Sequence, residues 1–432
     1  MGTPPGTPEP ASGAAGEPLP GGRSPPTGPR LAPDFPHWRR SLAFLTTSRI
    51  LRSFAAGFLN LAFPYLILTQ LHESATVLGL LYAAGGLSTA ALAFGFGRFG
   101  TRVHQRYGYY LALALLPVAC LLLTFPGSFP LVALGAALGG FSATGSLAGG
   151  GVGGAVQPFQ TAILSDLVPP ADRTRWLSVL SFLNGLSAAL GALLVAGVSL
   201  GELFPVGLAL SLGALLLSLP IEIRETRRGH RPASRSRRAI RRFTATGILN
   251  GFSQGLLTPF LIPFFLLIYH IPASEMAYYT AASGTCATVA LLFAPWLERR
   301  LGFVPSISYT RGVGALLAIV MPFVRIFPVS VAIYLALPAL RVAALPTQTS
   351  ALMGMVAPAD RAEASGTNQA ARVAAAGGAT ALSGFTIDEV AISVPFLGYA
   401  AAVYANVYLY IRFFGWQGHS SVYDEPEKGE AG

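Results

Sequence analysis

The sequence predicts an all-α polytopic membrane protein, with twelve transmembrane helices arranged as two parallel-related six-helix bundles. Three observations predict it. The 432 residues are 52% hydrophobic and only 11% charged, with a mean hydropathy of +0.55, against about a quarter charged residues in soluble proteins. Apolar runs of roughly 20 residues recur between short polar breaks, the length a helix needs to cross the hydrocarbon core. The second half of the chain also repeats the first.

In chain order, residues 1–36 hold eleven prolines and seven glycines with almost no large apolar side chains. Such a stretch buries too little surface to order itself and reads as a disordered tail. It is not a signal peptide, because the first apolar run starts only near Ser41. Twelve spans follow, at 43–70, 76–97, 108–125, 130–154, 176–199, 203–221, 243–269, 275–296, 306–325, 328–352, 364–384 and 391–414. They divide the chain into a first bundle over 37–221, a basic linker over 222–242, a second bundle over 243–414 and a polar tail over 415–432.

Charge placement orients the spans. With the N-terminus cytoplasmic, 23 of the 29 basic residues fall in inner segments, five within spans and only Arg325 in an outer loop. Glu73, Glu202, Glu275, Asp388 and Glu389 lie in the outer loops, and nine arginines from Arg224 to Arg242 crowd the central inner loop. The positive-inside rule reads this as both termini cytoplasmic in the plasma membrane. Trp38, Trp176, Trp296 and Trp416 fall at the inner helix ends, as an interfacial belt does. The net charge of +10 is therefore topogenic and no sign of nucleic-acid binding, while the central loop can meet anionic lipid headgroups.

The repeat is legible residue by residue. A shift of 188 lays Gln157–Arg173 over Leu345–Arg361 with nine of seventeen positions identical, among them Pro158, Gln160, Thr161, Asp172 and Arg173. Upstream the shift becomes 198, pairing Gly57 with Gly255, Gly86 with Gly284, and Phe129-Pro130 with Phe327-Pro328. The ten extra residues fall in a glycine-rich insertion at Thr144–Gly154 in span four. Parallel duplication of six spans across a basic linker is the organisation of a transporter built from two rocking halves.

With these motifs in view, residues 41–414 resemble the major facilitator superfamily, of bacterial or archaeal type. The family's signature between helices two and three is matched by GRFGTRVHQRYG at Gly97–Gly108, and its second copy by PWLERRLG at Pro295–Gly302. Arg102 and Arg106 stand at the basic positions, Thr101 and His104 replace an acid and a glycine, and Arg299 stands where the second acid would be, after Glu298. The Val-Pro-Pro-Ala-Asp-Arg turn resembles the family's loop between helices four and five. The resemblance implies a gate on the inner face, formed by Arg102, Arg106, Asp172, Arg173, Glu298, Arg299, Asp360 and Arg361.

No catalytic constellation accompanies these features, so the sequence reads as no enzyme. The six histidines are scattered, no nucleophile elbow or phosphate loop is present, and Cys120 and Cys286 have neither disulfide nor metal spacing. No metal or cofactor is implied. The informative residues are polar groups within spans. Arg341 lies midway along span ten, with Tyr334 and Gln348 one heptad away, and an arginine at that depth needs a partner or a wet cavity. By the resemblance, helices one, four, seven and ten line a central cavity, which makes Arg341, Tyr334, Asn60, Asn250 and Gln254 candidate substrate contacts. Two roles stay open for Arg341: a ligand for substrate, or a structural group satisfied by carbonyls of broken span four. Asn60, Asn250 and Gln254 could equally bind helix to helix. Arg372 fits a helix–helix role better, and Arg49, Arg52 and Arg311, near inner helix ends, are expected to snorkel.

The expectation is a monomeric secondary or facilitative transporter that moves a small solute by alternating access. A deep arginine with no acid in mid-span favours an anionic or strongly hydrogen-bonding solute. The rival readings are a proton-coupled multidrug exporter and a non-transporting membrane receptor.

Overall fold

A computed structural model describes residues 38–99, 105–141, 152, 154–168, 173–223, 234–324, 326–356 and 361–416. Among these residues every regular element is a helix. The first half comprises α1 (Trp38–Tyr65, continued by a π-helical turn over Leu66–Gln70), α2 (Ala75–Phe99), α3 (Gln105–Thr124), α4 (Phe129–Gly139), α5 (Gln157–Leu167), α6 (Arg173–Ala192) and α7 (Leu200–Ser218). The second comprises α8 (Ser234–Leu257), α9 (Leu261–Tyr269), α10 (Ala273–Leu301), α11 (Phe303–Val320), α12 (Phe327–Ala343), α13 (Leu345–Met355), α14 (Arg361–Glu389) and α15 (Ser393–Phe414).

Ten segments among the described residues are long and apolar enough to cross a membrane. The other two expected spans are present in altered form. Span eleven is α14, 29 residues long but diluted by Arg372, Asp388 and Glu389. Of span four, expected over 130–154, α4 covers the first part, and a separate helix, α5, follows at Gln157–Leu167. Gly140 ends α4 in the left-handed region at φ 62°, a conformation glycine adopts without strain.

The spans expected from the sequence make Gln157–Leu167 part of a connection, and the structure corrects this. The segment is helical, started by a proline in its first turn; Gln157, Gln160, Thr161 and Ser165 lowered its hydropathy below that of a span. Its repeat partner α13 begins and ends at the matching residues, and it too opens on a proline. Pro130 and Pro328 mark the starts of α4 and α12 in the same way. The helix that carries span seven, α8, starts at Ser234, inside the segment read as linker.

Glycines allow the closest helix contacts, and the repeat reproduces them. A Cβ on Gly57 would run into the carbonyl of Ala188, and one on Gly255 into that of Ala376. These pairs are related by the 198 and 188 shifts, so α1 packs on α6 as α8 packs on α14. Small residues bring backbones together where lipid provides no hydrophobic drive for helix association. Between halves, the most extensive contact is α2 on α14, followed by α6 on α10. In the latter pair Gly284 meets Ala189, with its Cβ position 3.1 Å from the alanine Cβ.

The apolar core is asymmetric along the bundle. One large cluster joins the halves, running from Phe58, Phe63, Tyr82 and Phe141 to Phe264, Phe265, Tyr334 and Phe396. Toward the opposite end each half has its own cluster, around Leu45, Tyr109 and Leu164 in the first and Phe243, Phe303 and Leu352 in the second. Those two smaller clusters lie at the end that carries the exposed arginines Arg106, Arg242, Arg299 and Arg412.

Candidate functional site

The polar residues of the second half converge where its helices break. Asn250, Gln254 and Thr258 are spaced four apart, which stacks them on one helical face. Gln254 donates from Nε2 to Asn250 Oδ1 at 3.1 Å. At Thr258 the helix tightens into a single 3-10 turn, Thr258–Phe260, forced by Pro259, before α9 resumes. Across from it, α12 ends at Ala343 and α13 starts at Leu345, so span ten is also interrupted. Non-helical backbone at membrane depth is tolerated where it is buried in protein or lines a cavity.

Arg341 bridges the two interruptions. Its NH1 donates to Thr258 Oγ1 at 2.5 Å, while its Nε is enclosed and has no hydrogen-bond partner. Gln254 Oε1, also enclosed, has no partner either. Two further arginines approach. Arg311 of α11 is only 4% exposed, lies over the Tyr410 ring at 5.7 Å, and keeps NH2 without a partner. Arg372 of α14 donates from NH2 to Gln369 Oε1 at 2.6 Å. The three guanidinium groups are near enough to feel one another's charge, and Tyr399 lies within the same reach of Arg311 and Arg341. Among the residues whose side-chain burial is described, no Asp or Glu is buried.

Of the five expected substrate contacts, Asn250 and Gln254 are bonded to each other one and two turns before Thr258, the residue that Arg341 holds. Tyr334 does not join them. Its hydroxyl pairs with Thr280 of α10 at 3.2 Å, its carbonyl accepts from Ser283 Oγ at 3.1 Å, and its ring packs on Phe265, so it braces α10 against α12. Asn60 is half-buried on α1 in the other half. Thr258 was missed by sequence reasoning, although the 198 shift places it opposite Asn60. That pairing is the signal for it in the sequence.

The expected snorkelling of Arg49, Arg52 and Arg311 is not what the structure shows. Arg49 and Arg52 are 3% and 6% exposed, and Arg52 NH2 donates to Gln160 Oε1 at 3.0 Å. Their turn of α1 is enclosed by α5, α6 and α7 instead of facing the membrane boundary. Ser53, on the same side, donates to Asn184 Oδ1 of α6. The residue matched to Asn184 by the 188 shift is Arg372, so one position carries an amide in the first half and a guanidinium in the second.

Of the expected gate, Arg102, Asp172 and Asp360 lie outside the described residues, and Arg173 and Arg361 are the first residues of α6 and α14. Arg106 is exposed and donates from Nε to the Tyr110 hydroxyl at 3.3 Å, which in turn donates to the Leu219 carbonyl at 3.1 Å. Glu298 is half-buried and Arg299 exposed in the last turn of α10. No group of three or more metal-ligating side chains occurs among the described residues.

Comparison with known proteins gives the same architecture. The family model described as Major Facilitator Superfamily matches residues 45–381. No curated protein sequence matches the chain. Among solved structures, the human organic anion transporter MFSD10 (TETRAN) superposes with a TM-score of 0.65 at 16% identity, over 87% of this chain and 100% of that one. The nucleoside transporter NupG gives 0.69 at 13% identity, over 87% and 100%. A D-xylose-proton symporter gives 0.66 at 13% identity, over 86% and 97%. At these identities the likeness shows the fold alone.

Proposed function

The chain belongs to the major facilitator superfamily, and from that premise we propose that it carries a small anionic solute, a carboxylate or phosphate, across the plasma membrane by alternating access. A transporter of this family is no enzyme; the finer reading concerns what it moves. The observation that carries it is Arg341, held by Thr258 through one nitrogen with Nε enclosed and unpartnered. Arg311 offers a second unpartnered nitrogen. A buried donor without an acceptor costs about 1–3 kcal/mol, more when charged, and a bound oxyanion removes that cost at both sites. A guanidinium holds carboxylate or phosphate through two parallel hydrogen bonds, which gives orientation as well as charge.

In this reading Arg341, Arg311 and Thr258 bind the anion, Asn250 and Gln254 hold its polar remainder, and Asn60 meets it from the first half. The halves, residues 37–221 and 243–414, rock about the site with both termini in the cytoplasm. Arg102, Arg106, Asp172, Arg173, Glu298, Arg299, Asp360 and Arg361 form the inner gate. The exposed arginines Arg237, Arg238, Arg241, Arg242 and Arg412 sit among anionic headgroups. A thermal-shift screen of mono- and dicarboxylates, phosphate esters, neutral sugars and cations against purified protein tests the solute class. Stabilisation by anions alone is the expected result, and stabilisation by neutral or cationic solutes alone would reject it. Uptake or efflux by proteoliposomes then separates a carrier from a receptor.

A further inference from the structure

We infer that Asp388 is the latch that holds the two halves shut at the end of the bundle opposite the arginines. Asp388 stands in the last turn of α14 and reaches across the boundary between halves to the first turn of α2. Its Oδ2 accepts from Thr76 N and from Thr76 Oγ1, both at 2.6 Å, and its Oδ1 accepts from Ala75 N at 3.2 Å. The next amide, Val77 N, is met by Ser74 Oγ at 3.3 Å. The opening donors of a helix have no partner within it, so α2 takes its cap in part from the other half of the molecule. A carboxylate is the strongest cap available there, because the helix dipole adds to three charge-assisted hydrogen bonds.

The surroundings make this contact a gate and more than a local cap. One turn inward, Gly79 and Gly384 let α2 and α14 touch backbone to backbone: a Cβ on Gly79 would lie 2.7 Å from the Thr380 carbonyl, and one on Gly384 would strike that of Ala75. A second bond between halves lies at the same end, from the Tyr65 hydroxyl to the Ile271 carbonyl at 2.7 Å. The apolar cluster that joins the halves is at this end too, whereas the other end has two separate clusters. The bundle is thus drawn together where Asp388 sits. To open this side, α2 and α14 must part, and the bonds that break first are the solvent-exposed ones of Asp388.

The test uses full-length protein with spin labels at Glu202 and Ile326, exposed positions in the two halves at the latched end, and a control pair at Leu219 and Leu301 near the other end. Distances are read in the absence of solute, so the outcome does not depend on what is transported. Asp388→Ala should raise the long-distance population at the latched end about tenfold and shorten the distance in the control pair. Thr76→Val, which removes one of the three bonds and leaves the helix otherwise intact, should produce a smaller shift in the same direction. A Thr76→Cys, Asp388→Cys pair oxidised to a disulfide should fix the short distance, with release on reduction. Distances unchanged in both Asp388→Ala and Thr76→Val would overturn the latch and leave Asp388 a helix cap.

Discussion

Arg341 and Thr258, 83 residues apart in sequence, meet through a 2.5 Å hydrogen bond at the places where their two helices break. The bond links the two interruptions directly. Pro259 frees the backbone around Thr258, the gap at Ala344 frees it after Arg341, and a guanidinium spans the space between them. Spans seven and ten are thereby coupled through a charged group that still has an unused donor.

Thr258→Val keeps the shape of the side chain and removes the acceptor. Hydrogen bonds to charged groups are worth about 1.5–3 kcal/mol, so thermal unfolding in detergent should show a loss of that size. Anion binding should weaken as well, because the guanidinium is no longer aimed. A variant as stable as the parent would show that Arg341 rests on other groups.

The glycine contacts should respond alike in both halves. Gly57→Ala would press a methyl group on the Ala188 carbonyl, and Gly255→Ala would do the same at Ala376. Each should cost about 1–3 kcal/mol by overpacking. Unfolding midpoints of the two variants check this; a loss in only one half would show that the repeat does not extend to the energetics of packing.

Arg49 and Arg106 give a contrast that snorkelling would not. Arg49 is buried on α1, whereas Arg106 is exposed at the start of α3. Arg49→Ala should destabilise the protein by about 2 kcal/mol or more through lost packing, and Arg106→Ala should leave the unfolding midpoint nearly unchanged. Equal effects in thermal unfolding would return Arg49 to the membrane boundary.

Orientation is open to labelling. With Cys286 replaced by serine, single cysteines at Glu73 and Glu389 should react with an impermeant maleimide applied to intact cells, and one at Arg238 should react only after permeabilisation. Reaction at Arg238 in intact cells would reverse the proposed topology.

Much of this was legible from residue order, and the failures have physical causes. Span count and the repeat were readable because the apolar period and the matched prolines, Pro158 with Pro346 and Pro130 with Pro328, act locally. Arg341, Asn250 and Gln254 were readable as polar groups at depth. α5 was not, because its polar residues hid a helix. The burial of Arg49 and Arg52 depends on α5 lying beside α1, so missing the helix also hid the burial. Tyr334 shares a periodic face with Arg341, yet the Phe265 ring and Thr280 hold it elsewhere, and tertiary neighbours of that kind leave no local mark. Asp388 read as an outer-loop acid, since its partners, Ala75 and Thr76, lie more than 300 residues away.

The most direct test of the central claim is the affinity of purified parent and Arg341→Lys protein for the anion that stabilises the parent best, measured by isothermal calorimetry. Lysine retains the charge but not the paired donors. Binding of the anion should weaken by about tenfold or more, about 1.4 kcal/mol, with the unfolding midpoint nearly unchanged. Unaltered affinity in a folded Arg341→Lys protein would contradict the account and make the arginine a structural tie between spans seven and ten.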